Sequence, residues 1–258
     1  FSGNKTAGTN TDAEGRGLFL YPVPTDYLAL CSANLTDSEI GPNQSDQADD
    51  HFNTVLYTGN SGTQSITGVG FSPDWLWVKN RGTTYSHALV DSVRGATLSL
   101  SSDSTAVERT SDITSLDSDG FSLQFVNATG SYSENQGTQN YVAWNWKAGT
   151  AFSNDASATG VGTIDSAGQV NTKAGFSIIG YTGNGTDGAT VAHGLSETIE
   201  ALIVKRRDGG TAHWQYHDHS NSAGKVILFS DDAAEASYSG FQNGGLDNLG
   251  SATFSLED

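Results

Sequence analysis

Apolar residues along the chain come in short runs rather than in helical stripes. FNTVLYTG, DWLWVKN, HALVDSV, ATLSLSS, GFSLQFV and YVAWNW are rich in β-branched and aromatic residues, and Gly, Asn, Asp and Ser separate them. Runs of this length and punctuation read as strands joined by turns. No segment repeats apolar residues at i, i+3, i+4 and i+7, so no amphipathic helix is predicted. The fold class expected is all-β, built as tandem β-sandwich, jelly-roll-like modules.

The pattern occurs twice. Tyr57-Thr58-Gly59-Asn60 returns as Tyr181-Thr182-Gly183-Asn184, and Gly70-Phe71-Ser72 keeps the same offset of 124 residues against Gly194-Leu195-Ser196. WVKNR (Trp77 to Arg81) then lies over IVKRR (Ile203 to Arg207), His87 over His213, LSSD (Leu100 to Asp103) over FSDD (Phe229 to Asp232), and GFSL (Gly120 to Leu123) over TFSL (Thr253 to Leu256). Blocks kept in one order mark a duplicated module. The predicted organisation is residues 1–50 as the end of a preceding domain with a connecting loop, 51–149 as the first repeat, 150–172 as a Gly-rich linker or pair of short edge strands, and 173–258 as the second repeat. The first repeat closes with YVAWNWKAG, and the second has no counterpart of that strand by Asp258. Two explanations are open: the module is cut short, or a neighbouring chain supplies the strand by β-augmentation. The recurring YTGN reads as a turn, because Gly supplies positive φ and Asn tolerates it, while the residues after it diverge at once.

Composition narrows the function classes. The 258 residues hold 31 Gly and 4 Pro, 36% hydrophobic and 16% charged, so much of the polar surface falls to Ser, Thr, Asn and Gln. A formal net charge of -17 repels phosphate backbones and anionic headgroups, which argues against nucleic acid and against a membrane surface as partners. No apolar stretch approaches the length of a membrane-spanning helix. The single Cys31 has no cysteine in the chain to pair with and reads as a small buried apolar residue. With no Met in the chain, Phe1 is expected to lie inside a longer protein.

NTVLYTGN, PDWLWVKNR, SHALVDSVRG and YVAWNWKAG together resemble a module found in structural proteins of tailed phages, especially marine ones such as those infecting cyanobacteria. AGFSIIGYTGNGTDGATVAHGL, followed by EALIVKRR and HWQYH, is similar to the form that often follows in such chains, and LFLYPVPTDYLALCSANL resembles the last strands of a SPRY-like segment. The resemblance implies a tail or capsid fibre or another virion appendage, forming a homo-oligomer, in particular a trimer, with other virion proteins as partners and host-surface attachment as its work. Two other functions stay open: a carbohydrate-binding module of a secreted or cell-surface protein, and a polysaccharide-degrading tail protein.

Candidate sites are few. Trp75 and Trp77 alternate on one strand and Trp144 and Trp146 on another, so each pair projects from one face. That face suits stacking on a host-surface glycan, yet Leu76 and Val78 make the opposite face apolar as well, which fits core packing or a subunit interface. His213, His217 and His219 fall on one side of an extended HWQYHDHS and would suit a transition metal such as Zn, Ni or Fe, although no dependable further ligand stands nearby. Asp46, Asp49 and Asp50, like Asp231 and Asp232, could offer oxygen ligands to calcium, but their spacing is not that of an EF-hand loop, and solvated acidic loops account for them equally. Asp91 with Arg94, and Lys79 with Arg81, are placed at strand ends as surface charges, where a pair contributes about 0–1 kcal/mol. No Gly-x-Ser-x-Gly elbow, Walker loop or His-Glu-x-x-His occurs, so no catalytic residue is assigned and the chain is read as a non-enzyme.

Overall fold

The computed structural model describes residues 8–13, 15–25, 27, 45–126, 132–218, 225–230, 236–237 and 249–256. Cys31, His219, Asp231 and Asp232 lie outside the described residues. The chain divides into two compact units, Phe1–Ser45 and Asp46–Asp258. In the first, Asn10 and Phe19 form an antiparallel bridge around a turn in which the Asp12 carboxylate accepts the Arg16 N–H at 2.8 Å.

Among the described residues of the second unit, the regular secondary structure is almost entirely strand. Its first half holds β1 (Phe52–Thr58), β2 (Thr63–Thr67), β3 (Trp75–Asn80), β4 (Ala88–Asp91), β5 (Leu98–Ser99), β6 (Arg109–Thr110), β7 (Ile113–Asp117), β8 (Gly120–Gln124) and β9 (Asn140–Trp146). β1, β9, β3 and β4 pair in that order, antiparallel throughout, and β2, β8 and β7 make a second sheet. The two sheets face each other as a sandwich. Leu76 and Val78 of β3, Ala88 and Val90 of β4, and Tyr141 and Ala143 of β9 pack on Phe121 and Leu123 of β8 and Ile113 of β7. Phe121, Ile113, Leu123, Leu76 and Tyr141 are fully buried. Each such aliphatic or aromatic side chain contributes about 1.5–3 kcal/mol by leaving water. The period-2 alternation that marks β3 in the sequence therefore separates Leu76 and Val78, which face the core, from Trp75 and Trp77, which do not.

The Gly-rich stretch after β9 is structured. It forms β10 (Thr150–Asn154), the single helical turn α1 (Ala156–Thr159) and β11 (Ser166–Asn171), and β11 pairs with both β10 and β12 (Phe176–Tyr181). Asp155 caps α1 by accepting the Ala158 N–H at 3.0 Å, and Gly160 closes it at φ 69°, where a side chain would be strained. Among the described residues the only other helical segment is the 3-10 turn Ala48–Asp50.

The rest of the unit holds β13 (Ala189–Ala192), β14 (Ala201–Val204), β15 (Gln215–Asp218), β16 (Lys225–Leu228), β17 (Ala236–Ser237) and β18 (Thr253–Leu256). β14, β15, β16 and β17 form one sheet, and β13 pairs with β18. These pairings repeat those of the first half: β13 with β18 as β2 with β8, and β14 with β15 as β3 with β4. A second core gathers Ala189, Val191, Ile199, Leu249 and Phe254.

Corresponding side chains do corresponding work. Tyr57 meets Phe121 edge to face at 5.9 Å and 74°, and Tyr181 meets Phe254 at 5.9 Å and 68°. Asn60 Oδ1 accepts the Gly62 N–H at 2.8 Å, and Asn184 Oδ1 accepts the Thr186 N–H at 3.0 Å, the same Asx turn. The residue after each asparagine takes positive φ: Ser61 at 53° and Gly185 at 66°. YTGN is thus a core tyrosine followed by a turn in both copies. Lys79 Nζ donates to the Thr83 and Tyr85 carbonyls at 3.1 and 2.8 Å, while Lys205 Nζ donates to Ala212 O at 2.5 Å and to Thr105 O of the first repeat at 3.1 Å. In each copy this ammonium gathers the carbonyls of the loop that follows its strand.

Candidate interaction surface: the aromatic face and the cleft beside it

The outer face of the β1-β9-β3-β4 sheet carries Phe52, Trp75, Trp77, Trp144 and Trp146, because the cross-strand register sets Trp75 opposite Trp146 and Trp77 opposite Trp144. The sequence-predicted tryptophans thus come together. Ring centroids are 4.7 Å apart for Trp75 and Trp146 and 6.2 Å for Trp77 and Trp144, with interplanar angles of 34° and 77°. The indoles interlock at angles and do not share a plane. One end of the cluster is covered from within the chain: Phe176 of β12 stacks on Trp75 at 5.7 Å and 18° and lies 6.4 Å from Trp146. The other end holds Trp77, whose indole N–H donates to His87 Nδ1 at 2.7 Å. Burial pulls the His87 imidazole below the usual histidine value, which keeps it neutral and able to accept that bond.

Polar contacts join the repeats next to this seam. Arg94 is held by Asp91 at 2.5 Å and Glu108 at 3.2 Å and donates to Leu89 O at 2.8 Å. Arg207 of the second repeat reaches the same Glu108 at 2.8 Å. Burial works to raise the Glu108 carboxyl, but the bonds from Arg207 and Arg94 outweigh it and bring it below the ordinary value. The Asp91–Arg94 pair forms as the sequence suggests, but both side chains are only 7% exposed, so it is an interior pair and no surface charge. Trp214 completes the seam by packing on Leu89 and Leu100 and donating its indole N–H to Ser101 O at 2.7 Å.

Beside the seam lies a cavity of about 720 Å³. It runs along all of β12 on one side and all of β14 on the other, with Trp75 and Leu100 of the first repeat and Phe254 of the second among its walls. Its size is that of a ligand-binding cleft, and two strands border it.

Among the described residues, the proposed ion ligands do not assemble. His213 stands ahead of β15 with Nδ1 3.0 Å from Ser230 Oγ, and His217 sits inside β15 at 2% exposure, where burial pulls its imidazole down. Asp46 is taken by Lys173, whose hydrogen bond holds its carboxyl below the usual value, and Asp50 accepts the Gln47 N–H at 2.8 Å to cap the 3-10 turn that also contains the exposed Asp49. Among the described residues no three His, Cys, Asp or Glu side chains converge as a metal site would require.

A family model for a domain of unknown function, DUF7483, matches residues 47–257. The chain belongs to this family. No curated protein and no solved structure matches it. The DUF7483 match begins one residue inside the compact unit that starts at Asp46, so the family domain and the structural unit coincide. Both repeats and the 150–172 stretch fall inside the one DUF7483 domain. Within it, sequence reasoning missed Phe176 and Arg207 as contacts between the repeats. Phe176 looked like an ordinary strand start, and only the second arginine of IVKRR hinted at an extra anionic partner.

Proposed function

We propose that the protein is a structural component of a phage particle, a tail or capsid fibre or other appendage, which assembles into a homo-oligomer, in particular a trimer, and mediates attachment to the host surface. The motif resemblance given above supplies the context. The observation that carries the reading is the seam: Phe176 on Trp75 and Trp146, Trp214 on Leu89 and Leu100, and Arg207 on Glu108 lock two copies of one sandwich together. Side chains that bind repeats to each other, instead of lining a reaction centre, suit a tandem that must transmit force from one repeat to the next. On an oligomeric particle, weak surface contacts repeated on several chains add through effective concentration. Mass measurement in solution over a wide concentration range, with localisation in intact particles by labelling, tests this. A trimer found on an appendage is expected; a chain that stays monomeric at high concentration and is missing from particles overturns it.

A carbohydrate-binding reading rests on a narrower observation. Trp77 and Trp144 lie away from the Phe176 cover and are only partly buried, with Leu56 on the neighbouring β1 at 62% exposure. Glycan-array binding that is lost in both Trp77→Ala and Trp144→Ala supports it; full retention in both rules it out.

A further inference from the structure

The two copies of YTGN end in the same Asx turn but hold its asparagine differently. In the first, the groups around Asn60 are tied. The N–H of Ser61, the residue after it, donates to Asn135 O at 2.9 Å, and Asn60 Nδ2 donates to Thr63 O at 3.2 Å. Asn60 N–H is bonded to Asn135 Oδ1 at 3.1 Å, and Asn135 Nδ2 returns a bond to Asn60 Oδ1 at 3.2 Å, so the segment ahead of β9 clamps the turn. Ser61 Oγ accepts the Gly137 N–H at 2.7 Å from the same segment.

In the second copy, residues 182–188 are all exposed. A Cβ on Gly183 or on Gly185 would meet nothing within 4 Å. Among the described residues, Asn184 keeps one side-chain hydrogen bond, in which Oδ1 accepts the Thr186 N–H at 3.0 Å, and neither its Nδ2 nor the Gly185 N–H has a partner. That bond folds the carboxamide forward along the main chain, toward the Gly185 nitrogen. It also polarises the carbonyl, which makes Cγ more electrophilic and stabilises negative charge developing on Oδ1. Residue 185 is a glycine at φ 66°, with no side chain to shield the approach to Cγ, where the first copy has Ser61 at φ 53°.

We propose that Asn184–Gly185 is a site of spontaneous covalent modification, where the chain cyclises and is then hydrolysed by water. The Gly185 nitrogen gives its proton to solvent and attacks Asn184 Cγ. The N–Cγ bond forms, the Cγ–Nδ2 bond breaks, and Nδ2 departs as ammonia with a proton taken from water, which leaves a five-membered succinimide. Water then opens the ring at either carbonyl to give aspartate or isoaspartate, so one water is consumed and one ammonia released. No oxidant or cofactor takes part. Either product adds a negative charge, and isoaspartate also adds one carbon to the main chain just beyond Tyr181, the last residue of β12. The change falls on the turn of the second repeat and spares that of the first. The inference does not depend on the function proposed above.

The test incubates the folded protein in mildly alkaline buffer and maps it by tryptic digestion and mass spectrometry. Cleavage after Lys173 and Lys205 releases residues 174–205, in which Asn184 is the one asparagine. This separates it from Asn243–Gly244, the chain's other Asn-Gly pair, which lies outside the described residues. The 174–205 peptide is expected to exchange one amide for one acid, with isoaspartate identified by electron-based fragmentation. Conversion should run about tenfold or more faster than at Asn60, where the bonds from Ser61 N–H and Asn60 Nδ2 must break first. Gly185→Ser, which places the first copy's residue in the second turn, is expected to slow conversion by about tenfold. Asn184→Gln is expected to abolish it, because the ring would be one atom larger. An amide retained at Asn184 in the folded protein, over a period in which the isolated 174–205 peptide converts, overturns the proposal, as does conversion of Asn60 at an equal rate.

Discussion

Among the described residues, the first repeat and the second share strand pairings and internal staples but differ in how their sheets are joined. In the first, a four-stranded sheet closes over its partner sheet, and Phe121, Leu123, Ile113 and Tyr141 are sealed at 0% exposure. In the second, the corresponding sheet is split between β12 and β14, and Tyr181 and Phe254 border a cavity. The difference separates what a module needs to be recognisable from what it needs to be closed. The tyrosine-to-phenylalanine contact, the Asx turn and the lysine clamp occur in both repeats, because each is formed by residues near the turns and by one cross-sheet contact. Sealing the first core draws on a strand from far along the chain, since β9 brings Tyr141 and Ala143 into it.

The largest expected break in this comparison comes from its matched phenylalanines. Phe121→Ala should cost about 3–5 kcal/mol, the usual range for a large aromatic removed from a closed core. Phe254→Ala should cost visibly less, since its ring already borders open space and leaves less new cavity. Chemical denaturation of both variants measures this, and equal losses would mean that the second core is as well sealed as the first.

Next come the lysines. Replacing Lys79 or Lys205 with Met keeps the aliphatic stem but leaves the gathered carbonyls without their charged donor, at a cost of about 1.5–3 kcal/mol each. Lys205→Met should in addition loosen the repeats from one another through Thr105 O, which limited proteolysis reports as cleavage between them.

A smaller effect is pH-dependent. The folded-state value of Glu108 is depressed, so its contribution is fully present above its unfolded value of 4.5 and is lost as pH falls through the lower folded value. Arg207 is 46% exposed at its side chain, so solvent screening limits this to about 1 kcal/mol or less. Arg207→Ala should lower the neutral plateau by about 1 kcal/mol or less and flatten the acid limb below pH 4.5, so that the two profiles converge at low pH.

Smallest are the paired turns. Asn60→Ala and Asn184→Ala each remove an Asx bond worth about 0.5–1.5 kcal/mol. The first should cost more, because Asn60 Oδ1 also accepts from Asn135 Nδ2 at 3.2 Å, and thermal melts of the two variants side by side check the order.

Much of the fold was legible in advance, and the reason lies in local chemistry. Period-2 alternation placed Trp75 and Trp77 on one face and Leu76 and Val78 on the other, and the core did form on the Leu76 side. The turn reading of YTGN rested on Gly and Asn, whose conformational freedom is intrinsic. The candidate site was only half legible. That the four tryptophans share a face follows from spacing within strands and antiparallel register; that Phe176 covers one end and leaves the other does not, since it depends on how the second repeat sits on the first. Asp91 and Arg94 show the same limit, because burial of a charged pair is a property of the packed seam.

The sequence by itself determined the all-β class, the duplication and the turn at each repeat start. These are set by side-chain periodicity and backbone preference over a few residues. Only the tertiary structure decided that β12 and β14 stand apart with a cavity between them, that 150–172 is built of strands, and that Glu108 ties the two repeats together. Each of those depends on strand edges and charges brought close from tens of residues away, where desolvation and packing, and not local propensity, set the outcome.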